Sequence, residues 1–191
     1  MVIVSEQTQQ RTKIHPKKFT LWIAIGSIIM MFAGLTSAYI VKSQKDGWHS
    51  VDMPQVFWYS TAVILLSSLT IQMALRSFKQ REMNRYRLLM GSTLLLGIIF
   101  IVLQSMGFQQ LWNSGVRFAG SSGAGQFLYV IAGLHAMHVL GGVIALIVMC
   151  VQAFFGRTKV YSSVPVEMAA TYWHFVDVLW IYLLVFFLWI G

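Results

Sequence analysis

The feature that most constrains this chain is a set of five uninterrupted apolar stretches, at residues 19–41, 56–75, 88–109, 127–155 and 168–190. Each reaches the ~20 residues that carry an α-helix across a ~30 Å hydrocarbon core. The apolar residues run continuously instead of alternating, which favours helices over barrel strands, the only other structure that satisfies every backbone N–H and C=O in lipid. Composition agrees, since 57% of the 191 residues are hydrophobic and mean hydropathy is +0.68. Only 10% are charged, against ~25% in a soluble chain. The expected fold is all-α, an integral membrane bundle of five transmembrane helices forming a single domain over residues 1–191, with a polar N-terminal segment at 1–18. The fourth run outlasts the bilayer, so it should tilt or project.

Charge counted by loop sets the expected orientation. Arg11, Lys13, Lys17 and Lys18 precede the first run, Arg76, Lys79, Arg81, Arg85 and Arg87 separate the second from the third, and Arg157 and Lys159 separate the fourth from the fifth. Thus 11 of the 14 basic residues share the N-terminal side, leaving Lys42, Lys45 and Arg117 opposite. The positive-inside rule places the N-terminus inside and the C-terminus outside. The first run is too long for a signal-peptide core and lacks a small-residue cleavage site, so it reads as a retained span. The net charge of +8 is then topology, aided by anionic headgroups of the inner leaflet, and implies no nucleic-acid partner. Trp22, Trp58, Tyr59, Trp112, Tyr129, Tyr161, Tyr172 and Trp189 fall near the run ends, where amphipathic rings anchor at headgroups. With Cys150 the single cysteine, no disulfide within the chain is available. No solenoid repeat or inverted symmetry of the transporter kind is present.

Ionisable residues inside a span are costly, so those present mark function or internally paired structure. They concentrate in the last two runs: His135 and His138 in the fourth, His174 and Asp177 in the fifth, with Glu167 at its inner edge. At 100° per residue His135, His138, Gly142 and Ala145 share one helix face, and Glu167, Ala170, His174 and Asp177 repeat the spacing on the next. Gly141, Gly142 and Ala145 allow two helices to approach closely, and interhelical hydrogen bonds replace contacts that lipid cannot offer. At ~1.5 Å per residue, His138 lies about 17 Å from one membrane face and Asp177 about 14 Å from the other, so the two stripes are expected to meet near the midplane.

Three readings of this cluster stand side by side. The histidines and carboxylates can satisfy one another and fix helix packing, as buried polar groups do. They can hold a lipid headgroup or relay protons, since imidazole titrates near neutral pH. They can also ligate a metal or haem, against which stand the missing third strong ligand and the absence of axial ligands on opposing helices. Gln104 is the notable polar residue of the third run, and Ser67, Ser68 and Thr70 in the second are expected to bond their own helix backbone. The 11 methionines are scattered as packing residues and imply no copper site. The chain has no Gly-rich phosphate loop, HExxH or nucleophile elbow, so catalysis by it alone is not expected.

The segment YWHFVDVLWI from Tyr172 to Ile181 resembles the signature of subunit III of haem-copper terminal oxidases, the cytochrome c oxidase subunit 3 family. Glu167 and the alanines after it, the GLHAMHVLGG run from Gly133 to Gly142, and Leu103-Gln104 are similar to family segments and order the last three runs as the family does. Phe32-Ala33-Gly34 and Pro54 extend the resemblance more weakly over the first two. The chain looks like the five-helix form, which lacks the first two helices of seven-helix relatives. It departs from the family at two positions: Ile28 stands where many relatives carry a glutamate, and Gly107 where many carry another after Gln104.

The resemblance implies a multi-pass subunit of the bacterial inner membrane, without redox centres of its own, that packs against catalytic subunit I beside subunit II, retains phospholipids and sustains proton uptake during aerobic respiration. Haems and copper are expected in the partner subunits, and a larger respiratory supercomplex is a further partner class. His135, His138, Glu167, His174 and Asp177 form the expected polar core. Trp173 and Trp180, seven apart on one face, are expected to pack against neighbouring helices, and Arg85 and Arg87 to contact lipid phosphates. Accessory subunits of quinol oxidases and nitric-oxide reductases share the architecture, and the intramembrane His and Asp are also compatible with a free-standing transporter or membrane cytochrome.

Overall fold

The structure is a computed structural model that describes residues 16–44, 53–115, 123–155 and 163–190. Five helices make it up: α1 Pro16–Ser43, α2 Val56–Lys79, α3 Met83–Asn113, α4 Gly123–Phe155 and α5 Val164–Ile190. All five are long and apolar enough to cross a membrane, and no strand occurs among the described residues. Every helix begins or ends several residues beyond its apolar run. The i to i−4 hydrogen-bond ladder needs no lipid, so it continues through polar flanks such as Lys17-Lys18 and Arg76 to Lys79.

Helices α2 and α3 form a tight antiparallel hairpin. Its turn places Arg81 in the left-handed region (φ 62°), and the Glu82 N–H closes back on the Ser77 carbonyl at 3.0 Å. That reach of five residues satisfies carbonyls otherwise left open at a helix end. The buried row of α3 is Tyr86, Met90, Thr93, Gly97, Phe100, Gln104, Gly107 and Leu111, and that of α2 runs from Phe57 through Ser60, Ile64, Ser67, Ile71 and Ala74 to Ser77. Steps of four and three alternate along α3 and along α2 as far as Ala74, the spacing of a coiled-coil seam, and the small residues within it bring the backbones close. Polar bonds lock the seam: Ser67 Oγ donates to the Thr93 carbonyl (3.3 Å), Thr70 and Thr93 share a hydroxyl contact (2.8 Å), and Gln104 Nε2 donates to Ser60 Oγ (3.0 Å).

Neighbouring pairs close a ring in the order α2, α3, α4, α5, while α1 packs outside it against α4 and α5 and does not contact α2. Side chains fill the ring: Trp173, Trp180, Phe57 and Phe100 are all buried in its interior. Helix α5 is the most buried of the five, with half of its most apolar window buried against 17% for α1. The described basic residues Lys17, Lys18, Arg76, Lys79, Arg81, Arg85 and Arg87 gather at one end of the bundle and Lys42 stands at the other. Arg11, Lys13, Lys45, Arg117, Arg157, Lys159 and Tyr161 lie outside the described residues.

Candidate functional site

The candidate residues are organised by two faces of α5 and by its basic end. Toward α4 and the ring interior it presents Tyr172, Trp173 and Trp180. The Trp173 indole, 1% exposed, lies against Gly142 of α4 and Gly97 of α3, where an added Cβ would stand 3.0 Å from ring carbons in both cases. Its Nε1–H donates to Ser67 Oγ of α2 (3.1 Å), so one side chain touches all three other helices of the ring. One stretch along the axis, Trp180 donates Nε1–H to Thr61 Oγ1 (3.0 Å) and meets the rings of Phe57 (5.7 Å) and Phe100 (5.8 Å). Tyr172, expected at the headgroups, instead turns inward and donates its hydroxyl to the His138 carbonyl at 3.0 Å. Gly141 is more open than Gly142, its nearest neighbour being Tyr172 Oη at 3.8 Å from a built Cβ.

The two α4 histidines serve this aromatic face. His135 is 2% exposed, stacked on Trp180 at 5.4 Å with the Phe32 ring edge-on at 6.5 Å, and neither ring nitrogen has a hydrogen-bond partner. His138 directs Nδ1 to the Leu134 carbonyl of its own helix (2.7 Å), which requires a proton on that nitrogen, and packs on the edge of Phe32.

Toward α2, α5 presents His174 and Asp177. His174 Nε2 faces Gln72 Oε1 (3.3 Å), and its Nδ1 meets Ser68 Oγ. The amide oxygen only accepts, so Nε2 carries the proton and the Ser68 hydroxyl donates to Nδ1 in the neutral ring. Asp177, 2% exposed, has no hydrogen bond of regular geometry to either carboxyl oxygen; Ser68 stands beside it, committed to His174.

At the basic end of α5, Glu167 accepts Lys18 of α1 on Oε2 and Lys79 of α2 on Oε1 (3.0 Å). One carboxylate therefore ties together three helices, two of which do not otherwise touch. Arg85 pairs with Glu82 (3.0 Å), and Arg87 donates Nε–H to the Ala153 carbonyl (2.7 Å) with its guanidinium over the Phe154 ring. Both arginines stand exposed at that end, and the Arg87 bond closes the C-terminal end of α4.

The expected meeting of the two polar stripes does not occur. No hydrogen bond joins His135 or His138 to His174 or Asp177. The reason is angular: Trp173 and His174 are 100° apart on α5, and the ring order turns the tryptophans into the ring interior and the His–Asp side to α2. Gly142 brings an indole close, where a backbone was expected. A second correction concerns α2, where Thr70 bonds its own helix as expected (Ser67 carbonyl, 2.8 Å) but Ser67 and Ser68 bond α3 and α5.

Sequence reasoning missed Thr61, Gln72, Gly97 and the Lys18 and Lys79 partners of Glu167. A signal for part of this was present, since Ser60, Ser67 and Ala74 repeat every seven residues. Gly107 also has a packing role: a Cβ there would lie 2.7 Å from Phe57, so a longer side chain requires that ring to move. Ile28, the other departure, packs partly buried against the core. No group of three His, Cys, Asp or Glu side chains placed to hold a metal occurs among the described residues.

Comparison with known proteins bears on what such an arrangement serves. The family profile described as Cytochrome c oxidase subunit III matches residues 17–191. A cytochrome c oxidase subunit 3 of Bacillus sp. (strain PS3) is 30% identical over 167 residues, covering 85% of this chain and 80% of the relative. A probable cytochrome c oxidase subunit 3 of Nocardia farcinica is 31% identical over 185 residues, covering 88% of each.

Proposed function

The chain belongs to the cytochrome c oxidase subunit III family, and on that premise we propose that it is the accessory, non-redox subunit of a proton-pumping terminal oxidase. Five spans and bacterial relatives make it a multi-pass protein of the bacterial inner membrane. In the proposed role it packs against catalytic subunit I beside subunit II, retains phospholipids and supports proton uptake, while the haems and copper that reduce dioxygen reside in its partners. The N-terminus lies inside, on the 11 to 3 division of basic residues.

The observation that carries this reading is how the polar and aromatic groups of α5 are spent. Tyr172, Trp173, His174 and Trp180 each bond another helix of the same chain, and Glu167 holds two more lysines. Such side chains fix the relative placement of five helices, which is the work of a scaffold. A redox ligand set would instead aim several nitrogens at one point. The experiment is purification of the tagged chain in mild detergent, both within its membrane complex and alone. Haem and copper should accompany the complex, and the isolated chain should carry neither. One tightly bound haem per isolated chain would contradict the proposal.

A further inference from the structure

On one side of the bundle α5 is left uncovered. Helices α1 and α2 flank it without packing against each other, so they form the walls of a groove floored by α5. Val178 is 64% and Tyr182 45% exposed along that floor. The basic end of the groove is spanned by Lys18, Glu167 and Lys79, which link wall to floor to wall. Where the α2 wall meets the floor, the half-buried Ser68 and Gln72 of α2 bond His174 of α5. Gln72 directs its amide oxygen to His174, and among the described residues its NH2 has no hydrogen-bond partner.

We infer that this groove seats a transmembrane helix of another subunit, one that presents a hydrogen-bond acceptor at the level of Gln72. The inference rests on reading the chain as an oxidase subunit, which supplies neighbouring helices. Gln72 is seven residues from Lys79 and His174 seven from Glu167, so the amide lies ~10 Å along the helix axes from the ion triad, within the hydrocarbon. An amide donor facing acyl chains is left unsatisfied, because lipid tails offer no acceptor. A phospholipid headgroup does not answer the need, since its oxygens stay at the level of the lysines. A helix does, through a side-chain oxygen or a carbonyl freed from its own ladder.

The test places a photoreactive benzoylphenylalanine at Val178 in the complete complex, purified through a tag on this chain, irradiated and analysed by mass spectrometry. The expected adduct joins position 178 to a transmembrane segment of another subunit. Gln72→Leu, apolar and without the amide, should lower its yield severalfold. An adduct to phospholipid only, to a second copy of this chain, or none at all from an intact complex overturns the groove assignment and leaves the accessory role standing. An unchanged yield in Gln72→Leu overturns the hydrogen-bond basis of the assignment. Failure of the tagged chain to bring down a haem-bearing subunit defeats the accessory role, and the proposed occupant with it.

Discussion

The Trp173 indole lies across the backbone of Gly142, close enough that a Cβ built on the glycine would stand 3.0 Å from two ring carbons. A Cβ built on Gly97 of α3 would likewise stand 3.0 Å from the same ring. One indole therefore occupies the slot that the two glycines leave open. Gly142→Val should overpack the slot and cost about 1–3 kcal/mol, read as a lower temperature of subunit unfolding or release. Gly26→Ala, with nothing within 4 Å of the built Cβ, should be neutral or slightly stabilising. Equal effects of the two would remove the slot from the account.

Ser67 accepts the Trp173 N–H and donates to the Thr93 carbonyl, coupling α5, α2 and α3 through one hydroxyl. Ser67→Ala leaves the buried indole N–H without an acceptor, at a cost of roughly 1–3 kcal/mol. Ser27→Ala, which removes an exposed bond to its own helix, should have little effect. Thermal melts of both variants in the same detergent decide the point.

Glu167 binds two lysines at a rim where the lysine side chains are 38% and 55% exposed. Partial solvation limits the effect, so Glu167→Gln should cost about 1 kcal/mol or less. The deficit should shrink as salt rises from 0.05 to about 1 M, where screening falls to ~3 Å. A loss that does not depend on salt would mean that the carboxylate acts by something other than its charge.

Orientation has its own test. Topology reporters fused after Lys18 and after Arg81 should read cytoplasmic and one at Ser121 external, following the division of basic residues. The reverse pattern would invert the bundle in the membrane.

The span count was legible because continuous hydropathy is a property of the chain alone, and the polar and aromatic residues of α4 and α5 can be named from the sequence. Their partners were not. Helical spacing places His135 and His138 on one face and His174 and Asp177 on another, yet it is silent on which neighbour each face meets. That depends on the ring order, which is set by long-range packing of Trp173 and Trp180. The α2 and α3 seam was within reach, since Ser60, Ser67 and Ala74 repeat at seven, but apolar hydropathy masks a weak stripe of small residues. Lys18, Lys79 and Glu167 are distant in sequence and meet only once three helix ends converge.

The central claim is that this chain scaffolds an oxidase without taking part in its electron chemistry. The direct measurement is oxygen consumption by the purified complex, followed from the first turnover to inactivation, for the unaltered protein and for His174→Leu, which strips Ser68 and Gln72 of their partner, and Asp177→Asn, which keeps the shape and removes the charge. The haem spectrum and the ratio of this chain to the haem-bearing subunit are recorded alongside. The account predicts an unchanged spectrum and initial rate in both, with this chain lost or activity decaying faster in His174→Leu. Variants that stay stoichiometric and lipid-replete yet fail at the first turnover would contradict it and place these residues in the chemistry.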